Sequence, residues 1–309
     1  MNKMFEIMTD LMPATPIDVL ALGVVDFKQS SFETCEAISQ NEKIERRYGP
    51  EIYFDLASLT KPLTNSLTYF IRPKKFDEDM LLCLNHRGSL PAWGILPKDR
   101  WREQILSYPI KAGETLYSDF SALRVMLEFE KKGESMKNLC LNIWDKETVY
   151  WSDLPDTAST IQTGFKDSKP NFGKVHDPNA YNLNTFCSHA GLFSTISGLC
   201  RTLIAYQQST DFIGQVRSGL KLNSHRFCYG WDRVENPDNC LAGQGCGPLT
   251  FGHLGFTGTS IWIDPDRMIG HVILSNATKN HWFDKVGLNS IRRAVGEYVW
   301  GGNWDYKGR

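Results

Sequence analysis

Ser58-Leu59-Thr60-Lys61-Pro62-Leu63-Thr64-Asn65-Ser66-Leu67-Thr68-Tyr69-Phe70 is the stretch from which the fold is read. Leu63, Leu67 and Phe70 fall at i, i+4 and i+7, the spacing of one helical face. A proline fits the first turn of a helix, where its missing N–H has no partner to lose, so Pro62 places the helix start close to Ser58. Residues three apart on that turn share a face, which puts the Lys61 amine within reach of the Ser58 hydroxyl. A serine hydroxyl is a weak nucleophile until a base takes its proton. Lysine becomes that base only if burial or a nearby cation lowers its pKa from about 10.4, and the helix N-terminus adds partial positive charge in that direction. Because a residue before proline is pushed away from helical dihedrals, some distortion is expected at Lys61. Taken alone, S-x-x-K also describes a capped helix with a surface lysine.

Two more elements give the motif its meaning. Tyr117-Ser118-Asp119 follows the turn Lys111-Ala112-Gly113-Glu114 and precedes an amphipathic run from Ser121 to Lys132. With a lowered pKa, a tyrosine there relays a proton to a leaving group. Gly252-His253-Leu254-Gly255-Phe256-Thr257-Gly258-Thr259-Ser260 is read as a glycine-rich start to a strand, where the backbone approaches a ligand closely. The N–H groups of Phe256 and Ser58 are then the expected oxyanion donors. S-x-x-K, S-D-N and K-T-G form one recognised set, and three elements at comparable places relative to helix and strand occur here in that order.

On these residues the chain resembles the class C β-lactamase-like serine hydrolases. That group includes D-alanyl-D-alanine carboxypeptidases, D-aminopeptidases, esterases and exo-acting muramoyl-alanine amidases. The second slot is Y-S-D at Tyr117-Ser118-Asp119, and the third is H-x-G at His253-Leu254-Gly255. Further similarity lies in Gly173 to Ala180, Ser188 to Ser194 and Phe256 to Pro265. The resemblance implies a β-lactamase/transpeptidase-like fold and an acyl-enzyme mechanism without a cofactor or metal. It implies catalytic roles for Ser58, Lys61 and Tyr117, and substrate-side or tuning roles for Asp119, His253 and Gly255. The implied substrate is an amide or ester, with peptidoglycan-derived fragments favoured and a carboxylesterase of the same family as the alternative. A fold that binds wall fragments or a partner without turnover is the second alternative. His253 stands where the family commonly has lysine and Asp119 where it has asparagine; both changes disfavour efficient β-lactam hydrolysis.

The remaining sequence fits this picture. The chain has 309 residues, 41% hydrophobic and 22% charged, with a net charge of -1. Such a balance leaves no electrostatic footprint for nucleic acid. Glu6, Asp10 and Pro13 interrupt any apolar leader, and the apolar run between Asp18 and Asp26 is too short to span a bilayer. A cytoplasmic protein with no membrane segment is therefore expected. The 8 cysteines show no C-x-x-C spacing and are read as reduced, mostly structural thiols.

Val19 to Phe27 reads as a strand, and Glu51 to Leu56 as a connection into the serine helix. Gly191 to Gln207 reads as a helix, and 151–184 as a long binding loop. Gly258 to Asp264 and Met268 to Ser275 make a hairpin around Pro265-Asp266. Asp284 to Trp300 reads as a closing helix with Val286, Ile291, Val295 and Val299 on one face. Strands at both ends with helices between them predict an α/β (α+β) unit. Its antiparallel sheet is built from both termini, about 1–66 and 220–309, with a helical and loop insertion at about 67–219. A zinc site from His176, Asp177, Cys187 and His189 fits no metal-ligand spacing, and G-x-S-x-G is absent.

Overall fold

The computed structural model describes residues 3–41, 43–280 and 285–302. Strands β1 (Val19–Asp26), β2 (Ser31–Gln40) and β3 (Lys43–Arg46) come from the N-terminal part. Later strands β9 (Phe227–Cys228), β10 (Trp231–Arg233), β11 (Phe251–Gly255), β12 (Thr259–Asp264) and β13 (Ile269–Ser275) come from the C-terminal part. Together they form one eight-stranded sheet in the order β3-β2-β1-β13-β12-β11-β10-β9, with every pair antiparallel. The seam is β1 against β13, where Leu20 faces Ser275 and Asp26 faces Ile269.

Both faces of this sheet are covered, so β1 is apolar on both sides instead of alternating. Leu20, Leu22 and Val24 point toward α1 (Lys3–Leu11) and the C-terminal helix, packing with Met4, Met8, Ile291, Val295 and Val299. Val19, Ala21 and Val25 join the larger core on the other face. Gly23 belongs to that second face; a Cβ there would come within 2.8 Å of the Cys200 sulfur.

The intervening helices are α2 (Leu67–Ile71), α3 (Glu78–Leu84), α4 (Trp101–Ser107), α5 (Asp119–Lys131), α6 (Met136–Leu141), α7 (Pro178–Leu183), α8 (Ile196–Thr210) and α9 (Phe212–Leu222). The chain closes with α10 (Lys285–Trp300). A small sheet of β4 (Phe54–Asp55), β5 (Thr148–Tyr150) and β8 (Leu192–Ser194) lies behind the serine turn, and β6 (Phe165–Lys166) pairs with β7 (Lys169–Pro170) as a short hairpin. No helix among the described residues is long and apolar enough to cross a membrane.

Several expectations need correction. Gly191 to Gln207 is a strand followed by a helix, because Thr195 caps α8 through a bond from the Gly198 N–H. The 151–184 stretch carries β6, β7 and α7, and Asp177 caps α7. Gly252 to Ser260 is more than the start of a strand: it spans β11 after Phe251, the turn at 256–258 and the start of β12, and β11 is an interior strand. On the closing helix Val286 is exposed, and Leu288 takes its place on the buried face. The expected start at Asp284 lies outside the described residues.

His271 on β13 is fully buried, and burial pushes it down to about 4 from 6.5. The folded state therefore keeps the ring neutral while the unfolded chain takes up a proton below pH 6.5. Stability falls as the pH drops from 6.5 to about 4, at a cost on the order of 3 kcal/mol from this residue. Urea midpoints at pH 7 and pH 4.5 are expected to differ less in His271→Gln than in the native chain; equal differences would refute the assignment.

Candidate active site

The serine sits on a tight turn between β4 and the first helical segment. Ala57 adopts φ 47°, a left-handed conformation that a residue with a Cβ adopts at a cost. The turn is braced by Asp55, whose carboxylate accepts the Ala57 N–H at 2.8 Å and the His176 N–H at 2.6 Å. Burial pushes Asp55 up to about 6. The helix is not regular: a 3-10 turn over Ala57–Leu59 is followed by a π turn over Pro62–Ser66 before α2. Pro62 gives no N–H to the ladder, and the wide turn follows it. Lys61 itself keeps helical dihedrals, φ -57° and ψ -56°, against the distortion expected before proline.

The predicted residues converge. Lys61 Nζ lies 2.9 Å from Ser58 Oγ, 3.0 Å from the His189 carbonyl and 2.7 Å from Asp119 Oδ1, so each of its three protons has an acceptor. The Tyr117 phenol lies beside Lys61 and Ser58, both of which favour its charged form, and the Lys61 ammonium stands 4.9 Å from the centre of its ring. His86 and His253 pack on the same phenol at ring distances of 4.7 and 5.8 Å. The end of β11 is stitched beside the serine turn: Thr257 donates to the Asp55 carbonyl at 2.6 Å and Thr259 to the Leu56 carbonyl at 3.1 Å. Gly255 has to be glycine, since a Cβ there would sit 2.6 Å from the Leu56 carbonyl oxygen.

Two electrostatic expectations are overturned. Burial alone would lower Lys61, but the Asp119 carboxylate and the Tyr117 phenol outweigh it and hold the amine above its ordinary value. Burial raises Tyr117, and the Lys61 charge only partly opposes it, so the phenol is neutral. Asp119 faces Lys61. His253 is buried and neutral, pushed down to about 3 by burial and by the Lys61 charge. Its Nδ1 lies 2.9 Å from the Leu254 carbonyl and its Nε2 has no partner.

Two cavities meet at this cluster, of about 350 Å³ and about 420 Å³, and Ser58, Tyr117 and Phe256 line both. A family model described as Beta-lactamase matches residues 144–295. Among solved structures, a class C β-lactamase from Rhodobacter sphaeroides is similar at TM-score 0.65 and 14% identity, covering 96% of this chain and 98% of that one. An octameric penicillin-binding protein homologue from Pyrococcus abyssi is similar at TM-score 0.62 and 12% identity, over 90% and 74%. A β-lactamase from Mycobacterium bovis is similar at TM-score 0.56 and 13% identity, over 94% and 97%. No curated protein matches the chain by sequence.

Residues 144–295 match the β-lactamase family model, and the fold is shared with β-lactamases and a penicillin-binding protein homologue. Proteins of this family are generally serine hydrolases. The matched residues begin after Ser58, Lys61 and Tyr117, so the convergence of those three rests on the geometry above.

Features beyond the motifs complete the cluster. In the second cavity His189 is fully buried and lies 2.9 Å from Asp177. Burial would lower the ring, but Asp177 overrides it and pushes it up to about 10, while the pair holds Asp177 down to about 2 against its own burial. Asp119, Asp177 and His189 bring ligand atoms within 4.8 Å of one another. Asp119 pairs with Lys61 and Asp177 with His189; Cys187 and His176 are not part of the group.

Among the described residues the first cavity is lined by Arg226, Lys285, Arg292 and the carboxylate of Asp232, which Arg226 pairs at 2.8 Å. Arg292 is 4% exposed, donates to Asn289 Oδ1 and the Thr259 carbonyl, and leaves a buried Nε without a partner. Burial lowers it to about 10. The sequence signal for Arg292 was an arginine between Ile291 and Val295, on what is otherwise the apolar face of α10.

Proposed function

We propose that this chain is a serine hydrolase that works through an acyl-enzyme on carboxylate-bearing amides or esters, with peptide or amide bonds of peptidoglycan-derived fragments as the favoured class. The observation that carries this reading is the 2.9 Å contact between Lys61 Nζ and Ser58 Oγ at the junction of two cavities. Ser58 attacks a carbonyl while Lys61, once it has lost its proton, accepts the one from Oγ. The amides of Ser58 and Phe256 hold the oxyanion, a contribution of about 10²–10³ in rate per donor in comparable sites. The neutral phenol of Tyr117 gives a proton to the departing amine or alkoxide, and water then releases the acyl group.

The first cavity supports a negatively charged substrate. Arg292 sits at its wall with only neutral acceptors, and a substrate carboxylate supplies the countercharge it lacks. A charge-assisted hydrogen bond of about 1.5–3 kcal/mol corresponds to roughly 10–100-fold in affinity. Arg292→Gln is therefore expected to raise KM by that factor for carboxylate-bearing substrates and to leave neutral p-nitrophenyl esters unchanged. A panel of such esters, D-amino-acid amides and muramoyl peptides measures both this and the substrate class; equal losses on neutral and acidic substrates would remove the carboxylate site.

A second reading, binding without turnover, draws on the Lys61–Asp119 ion pair, which keeps the base protonated at rest.

A further inference from the structure

Six of the eight cysteines, Cys35, Cys83, Cys140, Cys187, Cys200 and Cys228, are at most 3% exposed. Cys240 and Cys246 differ. Their sulfurs face each other at 3.6 Å, Cys240 is half-buried at the surface and Cys246 lies behind it. The chain doubles back between them at Gly243 and Gly245, whose φ angles of 90° and 88° favour glycine.

The segment is docked at its centre. The Ala242 carbonyl accepts from Trp300 Nε1 at 2.7 Å and lies 3.2 Å from His271 Nε2, and a Cβ on Gly243 would be 2.6 Å from the Gly296 Cα. Leu241, next to Cys240, forms part of the cavity wall at Ser58. The Cys246 S–H favours a Cys240 thiolate, and the backbone N–H groups of Ala242 and Gly243 add to it. A half-buried thiol at the surface with a second thiol 3.6 Å behind it is the arrangement of a redox-sensitive pair.

We infer that Cys240 and Cys246 are a thiol modification site that forms a reversible intramolecular disulfide with a low-molecular-weight disulfide as oxidant. The Cys240 thiolate attacks one sulfur of that disulfide, breaking its S–S bond and expelling one thiolate. Cys246 gives its proton to the departing thiolate and attacks the Cys240 sulfur of the mixed disulfide, expelling the second thiolate, which takes up from solvent the proton that Cys240 released on becoming a thiolate. The small disulfide is reduced to two thiols, and the protein loses two S–H groups for one S–S bond. The sulfurs have to close from 3.6 Å to about 2.05 Å. The bond closes a short ring around the docked Ala242, fixing the segment that presents Leu241. This site does not depend on the hydrolase reading.

The test uses the full chain in oxidised and reduced glutathione mixtures, quenched with N-ethylmaleimide and mapped by mass spectrometry. The peptide holding both cysteines is expected to pass from two labels to none with loss of two hydrogens, without a retained glutathione, and the Tm to rise by a few degrees, reversed by dithiothreitol. Cys246→Ser is expected to stop at the Cys240–glutathione mixed disulfide. Two labels throughout in folded native protein, or a native protein that stops at the mixed disulfide, would overturn the inference.

Discussion

Lys61→Met is expected to slow acylation of Ser58 by about 10³–10⁴-fold, the loss that follows removal of a positioned general base. The lysine also matters as a cation, holding Asp119 at 2.7 Å and the His189 carbonyl at 3.0 Å. Lys61→Arg separates the two roles. Arginine keeps the charge and the ion pair, but its pKa above about 12 denies it the neutral form. It is expected to be as slow as methionine while melting close to the native chain. Second-order rates of p-nitrophenyl ester hydrolysis, read beside Tm, check this. Recovery of the rate in the arginine variant would make Lys61 a structural cation.

Asp119→Asn is expected to move the rising limb of the pH–rate profile downward by more than about one unit, so that the neutral fraction of Lys61 at pH 8 grows more than about tenfold. The sign follows from the forces on the amine. Burial lowers its pKa, and the Asp119 carboxylate is the largest opposing influence. Removing that charge leaves burial in command. The same pair sets a stability dependence: a lysine held above its unfolded value contributes stability that is present below about pH 10.4 and lost as the pH rises through the folded value. Asparagine at 119 removes that contribution, so its stability is expected to change less between pH 9 and pH 11. A profile unmoved by the substitution would mean that Lys61 is not the group whose deprotonation limits the rate.

The cluster was legible because its members carry local signals: Ser58 and Lys61 one helical turn apart, Tyr117 before an amphipathic run, and Gly255 between two strand-forming runs. The sheet seam was legible for a similar reason, since Val19 to Asp26 and Ile269 to Ser275 are apolar runs buried on both faces. Strand β2 was not, because Glu33 and Glu36 break its apolar pattern; Glu36 is 8% exposed and is answered by Arg47 at 2.8 Å, a pairing no local window displays. The electrostatics failed as a forecast on the same ground. Whether Lys61 is raised or lowered depends on the distance to Asp119, 58 positions away in sequence, and only the fold sets that at 2.7 Å. Asp55, Arg292 and the His189–Asp177 pair likewise acquire their roles from partners remote in the chain.

The most direct measurement is the intact mass of the folded chain after exposure to a fluorophosphonate, with the adduct mapped by peptide sequencing. One adduct is expected, on Ser58, and none on Ser58→Ala of the same fold. An unmodified native chain, or an adduct on another residue, would contradict the assignment of Ser58 as the nucleophile.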